Sequence, residues 1–258
     1  MFDIIDLSII GPAFAAGLLV LSTHVPLGRK VLERGIIFLD LAIAQCAALG
    51  VVLAGFFFDE ENHLAIQVSA GLAAIVSAVF LNWTENYWIR FQEAIIGSLF
   101  VLAATGSILA LAGNPHGGEH LKALLVGQIL WTTWDQLLPI ALVYAGVLGC
   151  ITWCKHPLFR FYFPFAISVT LSVQLVGVYL VFASLIIPAL ASQRLSEYKG
   201  ISKGLLIGAF GYGTGLVLSS IFDFPSGAII VWCLAVIALL SNSVSIFQQV
   251  FNKNSIQA

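Results

Sequence analysis

Apolar stretches of about 20 residues, the length that crosses a hydrocarbon core, recur along the chain between short polar breaks. They predict helices over 7–26, 36–58, 64–82, 94–113, 134–154, 204–222 and 226–247. Helices are required because backbone polar groups in lipid must be satisfied within their own segment. A further apolar region at 165–190 is less regular.

The polar breaks orient the chain. With the N-terminus extracytoplasmic, Arg29, Lys30, Arg34, Arg90, Lys155, Arg160, Arg194, Lys199, Lys203 and Lys253 all fall inside, and Lys122 alone falls outside. The excess of basic residues on the cytoplasmic side favours this topology, with the C-terminus cytoplasmic. The acidic loop "DEENH" (59–63), the histidine-bearing "NPHGGEH" (114–120) and "FDFPSG" (222–227) then face outward.

Both "KHPLFR" (155–160) and "SQRLSEYKG" (192–200) are placed inside, yet roughly 30 residues separate them. Two full spans do not fit in that length, whereas a broken or re-entrant helix pair does. Gly177, Ser184 and Pro188 supply places to bend. Irregular backbone at membrane depth is tolerated only where protein or a water path surrounds it, which points toward transport. The stretch 189–203, with Arg194, Glu197 and Lys199, suits a short helix lying on the membrane and touching a partner. The pattern predicts one all-α integral membrane domain over 1–258, a bundle of about eight spans.

Composition agrees. Hydrophobic residues make up 60% of the chain and charged residues 9%, against roughly 25% charged in a soluble domain. Lipid is therefore the solvent for most of the surface. A net charge of −2 without a basic arm gives no sign of a nucleic-acid partner. Cys46, Cys150, Cys154 and Cys233 sit in or beside apolar runs, where cysteine packs as a small hydrophobe. The N-terminal "MFDIIDLS" carries Asp3 and Asp6 where a cleavable signal carries positive charge, so the first segment reads as a retained helix.

Catalytic motifs are absent. There is no phosphate-binding glycine loop, zinc-protease HExxH, nucleophile elbow or redox CxxC. The glycines of "GAFGYGTG" (208–215) lie in an apolar segment, where small residues permit close helix packing. The chain reads as a transporter subunit and not an enzyme; any ATP hydrolysis belongs to another polypeptide.

Intramembrane polar groups are few. Asp40, Gln45 and Glu93 are the candidates for a translocation path, because an ionisable or amide group inside a membrane segment needs a partner or a water route. In the outer loop, His116, Glu119 and His120 could gather a divalent ion weakly, helped by Glu61 and His63. The alternative is a solvated connector. His24 and His156 read as membrane-interface residues.

Five blocks, in order, carry a resemblance. They are "VPLGRKVLERGIIFLDLAIAQCAALGVVLA" (25–54), "FQEAIIGSLFVLAATGSILAL" (91–111), "LKALLVGQILWTTWDQLL" (121–138), "GVYLVFASLIIPALASQRL" (177–195) and "GLVLSSIFDFPSGAIIV" (215–231). Together they resemble the membrane permeases of ATP-driven zinc, manganese and iron importers, the ABC-3 family. The resemblance implies a fold similar to the vitamin B12-type permeases and a multi-pass subunit of the bacterial cytoplasmic membrane. It also implies a homodimer around a central path, two cytoplasmic ATPase subunits and an extracytoplasmic metal-binding protein. ATP would bind the partner subunits, and this chain would hold no resident cofactor. The segment Pro188–Gly200, with Arg194, Glu197 and Lys199, becomes the ATPase-coupling segment.

The sequence departs from the family in two places. Members commonly carry Gly-Asp-Ala-Leu-x-His in the second helix, as metal ligands one turn apart. Aligned without gaps through Gly50, those ligand positions hold Leu41 and Gln45, and Asp40 falls one residue early, about 100° round the helix. An amide oxygen is a poorer zinc ligand than an imidazole. The family's Phe-Asp-Pro stretch after Lys155 is missing or shortened. The expected function is a permease for divalent metal, zinc first, with manganese or iron next. A metal chelate or other small solute, or an ATP-independent channel or carrier, are the alternatives.

Overall fold

The computed structural model describes residues 7–58, 62–111 and 125–255. Nine α-helices occupy them: α1 (Leu7–Arg34), α2 (Leu39–Ala54), α3 (His63–Tyr87), α4 (Gln92–Leu111), α5 (Trp134–Trp153), α6 (Phe163–Val176), α7 (Val178–Ser192), α8 (Glu197–Phe222) and α9 (Ser226–Ser255). Among the described residues there is no strand, and six helical segments are long and apolar enough to cross a membrane. A five-residue π turn, Leu158–Tyr162, runs directly into α6.

Small residues set the packing. Along α8, Gly200, Gly204, Gly208 and Tyr212 meet Arg29, Val25, Leu21 and Gly17 of α1. Steps of four on one helix match steps of four back along the other, so the pair is antiparallel. A Cβ on Gly204 would lie 2.7 Å from Val25, and one on Gly208 would collide with Leu21. Such close approach replaces the hydrophobic drive that lipid removes. Further along, α8 receives α9, Ile230 against Gly215 and Leu234 against Gly211.

One end of the bundle is basic. There Arg34 of α1 bonds Glu85 of α3 at 3.1 Å, Tyr162 donates to the same carboxylate at 2.7 Å, and the Arg34 guanidinium lies 4.3 Å from the Phe161 ring centroid. The amide of Gln92 donates to the Leu81 carbonyl at 2.9 Å and accepts from Thr84 at 3.0 Å, closing the α3–α4 turn.

The 165–190 region is a helical hairpin. α6 and α7 are separated by Gly177 alone, whose φ of +81° suits a residue without a Cβ. Both helices begin or end at the basic end, and Gly177 lies at the other. The expected break is present, and it falls at Gly177; Ser184 and Pro188 both lie inside α7. A one-residue turn is why so much helix fits in so little chain. α7, with 15 residues, reaches about 22 Å, short of a full hydrocarbon core.

Several boundaries differ from the sequence reading, α3 running on to Tyr87 and α9 to Ser255, and two more bear on the packing. α1 continues through Pro26 to Arg34, because Val25, Leu27 and Val31 are fully buried and tertiary packing outweighs the lost hydrogen bond. No separate surface helix spans 189–203. Pro188–Ser192 ends α7, and Glu197 already starts α8, whose glycine face stays on α1 as far as Gly200.

Candidate translocation site

Four helices, together with Leu125, line a half-open cavity of about 690 Å³ at their facing turns. α2 contributes Leu41 and Gln45, α4 Phe100, Ala104 and Ile108, α7 the turns from Val178 to Ile187, and α9 Ala228, Val231 and Trp232. The spacing of three to four residues on each helix follows from its 3.6-residue period. The polar residues that line it are Gln45, Tyr179 and Trp232; among the described residues no carboxylate, imidazole or thiol lines it.

Of the three polar residues assigned to a path, Gln45 faces this cavity and Asp40 and Glu93 do not. Asp40, in the first turn of α2, is 1% exposed, and neither carboxylate oxygen meets a hydrogen-bond donor among the described residues. Glu93, in the first turn of α4, also buries both oxygens, beside the backbone N–H of Ile37. The rotation that separates Asp40 from Leu41 is what keeps the acid off the cavity wall.

Three glycines from distant parts of the chain meet at the end of the cavity away from the basic residues. A Cβ on Gly127 would collide with Val176, one on Gly177 would collide with Gly127, and one on Gly227 would lie 2.6 Å from the Val126 carbonyl oxygen. Beyond this junction lies a more polar cavity of about 320 Å³, lined by Gln128, Trp131, Asp223 and Ser226 among others. Close backbone contacts therefore lie between a more polar pocket and an apolar one.

At the basic end, residues 193–199 are all exposed, between buried Ser192 and buried Gly200. Of the coupling candidates, Arg194, Glu197 and Lys199 lie on this exposed turn, Gly200 closes it, and Pro188 is buried in α7. Arg29 lies beneath. Its Nη1 donates to the Ser192 carbonyl at 2.7 Å and its Nη2 to the Leu195 carbonyl at 2.9 Å. The sequence reading used Arg29 only to orient the chain; a cation after "VPLG" gives no sign of which distant carbonyls it will meet.

His116, Glu119, His120 and Glu61 lie outside the described residues, and His63 opens α3. Among the described residues no three His, Cys, Asp or Glu side chains stand close enough to hold a metal. His24 is fully buried in α1, with Nδ1 2.9 Å from the Val20 carbonyl, and so is a core residue and not an interfacial one. His156 is exposed beside Phe159.

A sequence profile of the ABC 3 transport family matches residues 6–165 and 159–245. The high-affinity zinc uptake system membrane protein ZnuB of Haemophilus influenzae is 22% identical over 256 residues, covering 90% of this chain and 96% of that one. Its counterpart in Buchnera aphidicola is 21% identical over 267 residues, 91% of this chain and 97% of that one. The solved structure of PsaBC from Streptococcus pneumoniae in complex with Fab superposes with a TM-score of 0.70 at 20% identity, covering 90% of each chain. At that identity the likeness carries the fold alone.

Proposed function

The chain belongs to the ABC 3 transport family, a membrane permease of the ATP-binding-cassette class, and on that premise we propose that it forms the translocation path of a divalent-metal importer. Zinc is the leading cargo, with manganese or iron next; the zinc-uptake names of its relatives support that order. Two copies line one path, an extracytoplasmic binding protein delivers the metal, and ATPase subunits engage the basic end, which faces the cytoplasm.

One observation carries the reading: the α2 face bearing Leu41 and Gln45 opens on a cavity whose opposite wall, α7, runs straight into the exposed turn 193–199. A motor pushing on that turn moves the cavity wall. α7 is one helix from Val178 to Ser192, with Pro188 inside it, so a displacement of the turn is carried along that helix to the cavity wall.

A second reading concerns cargo. Among the described residues the wall carries one side-chain amide and no anionic or imidazole ligand, and a bare divalent ion entering apolar surroundings loses far more hydration energy than an amide returns. A metal chelate or another small solute brings its own ligands and fits such a wall better. Vesicles reconstituted with this chain, its ATPase and its binding protein decide the matter. ATP-dependent uptake of radioactive zinc supports the ion; uptake only of a chelated form supports the second reading. Transport by the chain unaided would overturn both.

A further inference from the structure

We propose that Arg29 is a positioning residue that staples the exposed turn 193–199 to α1, so that α1, α7 and the start of α8 move as one body when the turn is pushed; the inference rests on the reading of that turn as the ATPase contact.

The turn presents seven consecutive exposed residues, and its two buried ends lie against the same guanidinium. At one end Arg29 donates to the Ser192 carbonyl at 2.7 Å and lies 3.5 Å from the Ser192 hydroxyl. At the other end, the Gly200 Cα comes so close that a Cβ there would collide with the guanidinium. Between them the Leu195 carbonyl, within the turn, accepts from Nη2 at 2.9 Å.

Arg29 is only 7% exposed and has no carboxylate within ion-pair distance among the described residues. A buried cation is costly unless its hydrogen bonds are supplied. Here Nη1 is satisfied by the last carbonyl of α7, where the helix dipole is negative, and Nη2 by the turn itself, while Nε has no partner among the described residues. The planar fork can reach two carbonyls at fixed separation; an ammonium at the same place is a single point. The side chain therefore fixes the base of the turn and leaves its surface free, with Tyr198 83% exposed and Arg194, Glu197 and Lys199 around it.

A purely topogenic arginine would reach for headgroup water. Arg29 instead points into protein, at residues 163 and 166 positions away in the chain. Gly28, its neighbour, packs on the Leu185 carbonyl of α7 and adds a second close contact between the same two helices.

Two experiments test this on the assembled complex of the full chain with its ATPase and binding protein. In the first, ATP hydrolysis and cargo uptake are measured in the same vesicles for wild type, Arg29→Lys and Gly200→Ala. The expected result is that both variants still co-purify with the ATPase and hydrolyse ATP, while cargo moved per ATP falls by at least about fivefold. That uncoupling is a signature that misfolding would not give. Unchanged transport per ATP in Arg29→Lys would overturn the staple and leave the permease reading intact.

The second needs no change at Arg29. Spin labels at Glu33→Cys on α1 and Gln193→Cys on the turn report the distance between the two parts with and without nucleotide, in a background free of native cysteines. A distance that stays constant is expected. A change of ~5 Å, about one helical turn, would sink the proposal. Failure of the wild-type chain to bind any ATPase would remove both the staple and the reading beneath it.

Discussion

The hydroxyls of Ser184 and Tyr212 lie 2.8 Å apart, both fully buried, and join α7 to α8 near the middle of the bundle. The Ser184 hydroxyl also donates to the Leu180 carbonyl at 2.7 Å, so the phenol is the donor to serine. The two partners are thus not equivalent.

Removing one or the other should cost different amounts. Tyr212→Phe leaves Ser184 with its helical bond and is expected to lower stability by about 1 kcal/mol. Ser184→Ala strands a buried phenol and is expected to cost about 2 kcal/mol. Unfolding of the purified protein in mixed detergent micelles, monitored by helix signal, ranks the two; the opposite order would show that the phenol has another partner.

Gln45 is expected to matter for transport and Asp40 is not. Gln45→Leu removes a polar side chain from the cavity wall and should lower uptake by about tenfold, equivalent to about 1.4 kcal/mol of barrier. Asp40→Asn relieves a buried, unpartnered carboxylate and should leave uptake unchanged with equal or higher unfolding temperature. Initial uptake rates of the reconstituted complex check both.

The cavity face of α2 can be given metal ligands. Leu41→Asp with Gln45→His places a carboxylate and an imidazole one turn apart on the wall already lined by those two positions. In a background of His116→Ala and His120→Ala, which removes the outer loop from consideration, calorimetry should show zinc binding for the double variant and none without it. Binding of equal strength in both would place a metal site elsewhere in the path.

Two glycines separate helix propensity from close packing. Around Gly71 a Cβ would have no neighbour within 4 Å, so Gly71→Ala should stabilise the protein by about 0.5–1 kcal/mol. In Gly227→Ala the same methyl would lie 2.6 Å from the Val126 carbonyl oxygen, forcing the junction between the two cavities apart. That variant is expected to be less stable and to admit a membrane-impermeant thiol reagent to Gln45→Cys in the cavity; protection equal to wild-type background would mean the glycine junction is not the seal.

Much of this architecture is legible along the chain. Segment length and the scarcity of charge identify the spans, and the basic residues sort to one end of the bundle. The short interval between Arg160 and Arg194 announces a broken hairpin, and glycine is the residue that can turn it, as Gly177 does. The chemistry of the polar candidates was less legible. Asp40 and Gln45 lie five residues apart on one helix, and either could have faced the cavity.

Length and polarity along the chain were enough to establish that it is a helical membrane protein, roughly where each span lies, and which end carries positive charge. They could not establish which side of a helix faces inward. In water the apolar stripe marks the core, but in lipid both faces are apolar: on α3, Leu64, Val68, Leu72 and Val76 face out while Ala70, Ala74 and Ala78 are buried. Side-chain size, not hydrophobicity, distinguishes those faces. Which small faces meet, and hence that Gln45 reaches the cavity, that Asp40 does not, and that Arg29 lies under the 193–199 turn, depends on contacts between residues far apart in sequence, and those exist only once the helices have packed.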